Sequence, residues 1–135
     1  MRKKTKKNSL SGSYRNKVDP LKITMARVFF FLNAALWFGY GVYIYYDMAV
    51  VNNNKNSADI VTLFVFVNAC IMLYCGIIFG RPKKWIYYFA LAVVAFNTLL
   101  TLLTILDFYF LISFIIDLLI LWAILPLRKK YFLNS

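Results

Sequence analysis

From Trp85 to Leu127 the chain passes through apolar side chains with hardly a break. As one helix that stretch would be about 65 Å long, about twice the roughly 30 Å hydrocarbon core of a bilayer. The stretch must fold back on itself. Asp107 is the charge nearest its middle and places a tight turn around 106–109, although neither Gly nor Pro marks it. Two spans result, at about 85–105 and 110–125, the second closed by Pro126 and by Arg128, Lys129 and Lys130.

Two more apolar blocks of about 20 residues precede them. Asp19-Pro20 offers an N-cap acceptor followed by a ring already fixed at helical φ, so the first helix starts there. Its membrane-embedded part runs over about 27–46 and ends in Tyr43, Tyr45 and Tyr46, whose rings suit a membrane interface. A polar loop, Asn52 to Ser57, leads into a second span at about 60–79, closed by Gly80-Arg81-Pro82 as a stop signal. Across the 135 residues, 62% hydrophobic and 19% aromatic content is far beyond globular usage and would leave a water-soluble fold without a polar surface. The fold expected is therefore all-α: an integral membrane four-helix bundle of two antiparallel transmembrane hairpins over 20–130. Residues 1–19, basic and without apolar period, read as a disordered tail, and 131–135 as a short C-terminal tail.

Charge orients the spans. Sixteen Lys and Arg face five Asp, with no Glu and no His. If both termini are cytoplasmic, fifteen of the sixteen cations fall on the cytoplasmic side and only Lys55 lies outside. The location expected is a cell membrane, read as a prokaryotic plasma membrane. The first span is too long for a signal peptide and no small-residue cleavage site follows it. Arg2, Lys3, Lys4, Lys6, Lys7, Arg15, Lys17 and Lys22 form a polybasic segment that either contacts anionic lipids at the cytoplasmic face or only fixes orientation. The positive charge is split into short runs between apolar blocks rather than gathered on one folded surface, so no nucleic-acid partner is expected.

Polar side chains inside a span are costly and need a reason. Each span carries one that is strongly polar: Asn33, Asn68, Asn97 and Asp117. Counted from the cytoplasmic boundaries above, Asn68 and Asn97 lie about 18 Å deep, Asp117 about 15 Å and Asn33 about 9 Å. Asn97, Thr101 and Thr104 share a face of the third helix, and Ser113 and Asp117 a face of the fourth. These stripes should point inward, because an amide or carboxyl facing lipid finds no partner. The Asn33 face also holds Trp37, Tyr40 and Gly41, and the Asn68 face Met72, Cys75 and Gly76; the glycines permit close helix approach. Phe31-Leu32-Asn33-Ala34 echoes Phe66-Val67-Asn68-Ala69, and Gly41 and Gly76 follow at the same spacing. A two-helix duplication and the chance similarity of apolar segments both produce such an echo.

The Asn and Thr side chains read first as interhelical hydrogen-bonding groups. Asp117 differs, since an ionised carboxylate at mid-membrane costs at least about 2.5 kcal/mol. Three readings stay open for it: a protonated acid donating to Asn97 or Asn68, an attachment point for another subunit, and a proton or cation site. With no His, no Glu, no phosphate loop and no nucleophile beside a base, no enzyme activity, cofactor or metal is expected. Cys70 and Cys75, five residues apart on different sides of one helix, read as small packing residues.

Four short helices around one buried carboxylate resemble the small multidrug resistance transporters in outline, but that family carries a Glu in its first helix and this chain has none. The sequence is therefore assigned to no family. The leading expectation is a small polytopic membrane protein acting through helix–helix association, as a homo-oligomer or as a small subunit of a membrane complex. The alternative is a proton- or ion-coupled small transporter or channel using Asp117.

Overall fold

A computed structural model describes residues 20–103 and 108–133. The first helix, α1 (Pro20–Tyr46), is helical from the first described residue and continues into one π-helical turn, Asp47–Val51. It is followed by α2 (Lys55–Ile78), α3 (Lys84–Leu103) and α4 (Phe108–Ile124). A 3-10 turn at Leu125–Leu127 then leads into a short α5 (Arg128–Leu133). Four of these segments, of 32, 24, 20 and 20 residues with their added turns, are long and apolar enough to cross a membrane. The described residues contain no strand.

An apolar core is kept, but the exposed surface is apolar as well and strongly polar side chains are drawn inside. Asn33, Asn97, Thr101, Ser113 and Asp117 are buried, while Phe64, Leu103 and Phe108 stand more than two-thirds exposed. Hydrocarbon is a good solvent for Phe and Leu and a poor one for an amide, so the polar groups turn inward. The chain is thus a multi-pass membrane protein of α-helices packed against one another. α1 lies between α2 and α4, α3 packs on α4, and α2 and α3 diverge.

Three successive asparagines make the connection from α1 to α2. Asn52 Nδ2 donates to Asp47 O at 3.1 Å and Oδ2 at 3.2 Å, closing the π turn. Asn53 takes φ of 50°, a left-handed conformation that Asn tolerates better than most residues. Asn54 caps α2 by accepting from Ser57 N at 3.3 Å. Because of that cap the helix starts at Lys55, and the polar loop is shorter than 52–57.

At the other end of α2 the stop falls where Gly80-Arg81-Pro82 placed it, but Gly80 does not adopt positive φ. The missing N–H of Pro82 is enough to end the helix. The C-terminal residues are not a plain tail, since α5 docks on the connection after α2. Tyr131 donates its hydroxyl to Phe79 O, and its ring packs 5.5 Å from Phe79 and 5.6 Å from Tyr87. Tyr131 and Phe132, next to each other, cover the aromatic cluster of Phe79, Tyr87 and Tyr88. The expected turn at 106–109 reaches into residues outside the described ones, as does the 1–19 tail.

A buried polar network as candidate functional site

The α1–α2 pairing sets the depth of the polar groups. At Gly41 an added Cβ would come within 2.7 Å of the Phe66 ring, and at Gly76 within 2.9 Å of the Phe31 ring. Each helix therefore has a notch that receives a ring from the other. The residues involved belong to the two copies of the echo, 35 positions apart, so the repeat is used twice in packing. Ala34 and Ala69, the next equivalent pair, are both buried in the seam. Arg27 strengthens the pairing by donating Nε to Gly76 O at 2.9 Å. That bond was not anticipated, though an Arg within a helix turn of a membrane boundary and a side-chain-free carbonyl opposite are legible signals for it.

With the helices in this register, Asp117 sits fully buried between α1 and α3. Asn33 Nδ2 donates to its Oδ1 at 2.6 Å and Asn97 Nδ2 to its Oδ2 at 2.7 Å. Ser113 Oγ donates to Asn33 Oδ1 at 2.8 Å, and Asn68 Nδ2 to Asn97 Oδ1 at 2.9 Å. One connected network thus ties all four long helices, and each of its bonds is donated in the direction of Asp117. Both carboxyl oxygens are thus engaged by amides of neighbouring helices.

Several expectations are corrected by this geometry. Asn33 is not shallower than the others but level with Asp117, because the register of α1 follows the glycine notches. Asp117 meets Asn33 and Asn97 directly, and Asn68 reaches it only through Asn97. Asp117 is 0% exposed and has both oxygens engaged within its own chain. Thr101 is buried but turns to its own backbone, donating to Asn97 O and Thr98 O at 3.0 Å. Thr104 lies outside the described residues.

Asn68 is the network's one half-exposed member. It stands on the wall of a groove of about 560 Å³ between α2 and α3, with Val67, Ile71, Phe89, Val93 and Phe96 around it. A recess of about 250 Å³ adjoins the groove and is bounded by Trp37, Val65, Asn68 and Leu100. The Trp37 indole packs edge-on against Phe110 at 5.8 Å, and its Nε1 has no partner among the described residues.

Comparison with protein-family models, curated proteins and solved structures finds no match. The site must be read from its own chemistry.

Basic side chains gather at one end of the helices, where α1 and α3 begin and α2 and α4 finish. Of the polybasic set, only Lys22 is among the described residues, and its Nζ lies 5.7 Å over the Trp122 ring. Lys84 Nζ and Arg128 Cζ lie 5.6 and 5.5 Å from the Phe132 ring. Arg2, Lys3, Lys4, Lys6, Lys7, Arg15 and Lys17 lie outside the described residues.

Proposed function

We propose that this chain is a four-helix membrane bundle, both termini cytoplasmic, that works by associating with other transmembrane helices, as a homo-oligomer or as a small subunit of a membrane complex. The Asp117 network is its internal lock. Five polar side chains joined within one chain fix the register of four helices, which apolar surfaces in lipid do not do by themselves. The observation that carries the association reading is Asn68, half-exposed on the wall of a groove that hydrocarbon can fill but cannot hydrogen-bond. A further polar helix would supply what lipid lacks. The basic end meets the anionic cytoplasmic leaflet and holds the assembly in one orientation.

The second reading, a proton- or ion-coupled small transporter or channel, draws on the position of Asp117, an ionisable carboxyl buried among the membrane-spanning helices. Purification in mild detergent with mass analysis decides between the two. A stoichiometric partner or a defined homo-oligomer is expected. A monomer without partner that carries a proton or ion flux in vesicles would favour the second reading.

A further inference from the structure

We infer that Asn68 is the centre of a twofold interface through which two copies of this chain associate, groove to groove, along the open side between α2 and α3. This deepens the association reading and rests on it.

A carboxamide offers two N–H donors and a carbonyl acceptor. One Asn68 N–H is committed to Asn97 Oδ1 at 2.9 Å, while its second N–H and its Oδ1 have no hydrogen bond among the described residues. The residue sits near the middle of α2, where an unpaired polar group cannot turn to water. Acyl chains have neither donor nor acceptor, so lipid filling the groove leaves both functions of the amide unmet.

What remains on Asn68 is one donor and one acceptor side by side, the set that a second carboxamide completes with two reciprocal bonds. Copies inserted in the same direction are related by a twofold axis along the membrane normal, and at such an axis each residue meets its own counterpart at its own depth. The amide that Asn68 meets there is the other Asn68. Shape agrees with this pairing. Phe64 and Phe96 stand 71% and 61% exposed on the groove of about 560 Å³, so each copy carries both a projecting ring and a hollow to receive one.

The test uses the full chain in vesicles at high lipid-to-protein ratio. In a Cys70→Ala background, Val67→Cys places a thiol on the groove beside Asn68, and a short thiol-to-thiol cross-linker should trap a covalent dimer. Leu73→Cys in the same background, exposed and more than about 100° around α2 from Val67 and Asn68, should not be trapped. Asn68→Leu should lower the association constant roughly three- to tenfold. Phe64→Ala should lower it too, and because that ring is exposed and leaves the Asn68 bond to Asn97 untouched, it guards against misreading a folding defect. A dimer that neither substitution weakens, or one trapped through Leu73→Cys and not through Val67→Cys, overturns this interface. A monomer that binds a different membrane protein stoichiometrically overturns it while the association reading stands. A monomer with no partner overturns both.

Discussion

Asn33 and Asp117 are 84 positions apart in the chain and 2.6 Å apart in space. Because Asn97 holds the other carboxylate oxygen, removing the carboxylate strands two buried amides at about 1–3 kcal/mol each. Asp117→Leu should therefore cost several kcal/mol, read as a shift of the unfolding midpoint in a denaturing-detergent titration. Asp117→Asn should cost about 1 kcal/mol or less. Its new N–H can be met by turning the Asn33 amide over, since the Ser113 hydroxyl accepts as readily as it donates. Equal damage from both variants would mean that the charge itself is required. An Asn variant that assembles normally but abolishes a proton or ion flux would make the transporter reading the better one.

Gly41 and Gly76 should be equivalent in their sensitivity. Valine at either position pushes against an aromatic ring from the facing helix, and overpacking of this kind costs about 1–3 kcal/mol. The same detergent titration reads the effect. A variant as stable as the parent would show that the ring swings aside freely.

Topology follows from the charge distribution. A cytoplasmic reporter fused after Ser135 should be active, and a reporter inserted within Asn52 to Asn54 should read as external. Both reading on one side would end the four-span arrangement.

The polybasic segment should bind lipid by charge. A peptide of residues 1–22 should associate with anionic vesicles, each cation adding about 1 kcal/mol near the surface, and salt should weaken it. Equal binding to neutral vesicles would count against the electrostatic account.

Burial pushes the Tyr131 phenol from its ordinary 10 up to about 12. Once α5 undocks, the phenol loses its proton more readily than in the folded chain. Docking is therefore fully stabilised below about pH 10 and loses that support as pH rises toward 12. Tyrosinate absorbance checks this: Tyr131→Phe should remove a late-titrating phenol, and an unchanged titration curve would contradict it.

Much of the fold was legible because the bilayer imposes a length. The stop before Pro82 and the four spans follow from 1.5 Å per residue and from local stop signals. The inward residues of the site were legible too, since Asn33, Asn97, Ser113 and Asp117 have no tolerable alternative to burial. The partners were not. Whether Asp117 meets Asn33 or Asn68 depends on the axial shift and rotation of whole helices, and those are set by ring-in-notch contacts that spacing along one helix does not encode. α5 escaped notice for another reason: its six residues are too few to show a period, and tertiary contacts of Tyr131 and Phe132 hold it in place.

The paired notches have a consequence for how the protein enters its membrane. Phe31 in the hollow at Gly76 and Phe66 in the hollow at Gly41 exchange places if the α1–α2 pair is turned end over end. These two ring contacts are thus blind to up and down, whereas the Arg27 bond to Gly76 O is made at one end of the pair only. If charge sets direction, Arg27 at one end and Asp47 and Asp59 at the other carry it, and exchanging those terminal charges should favour inverted insertion.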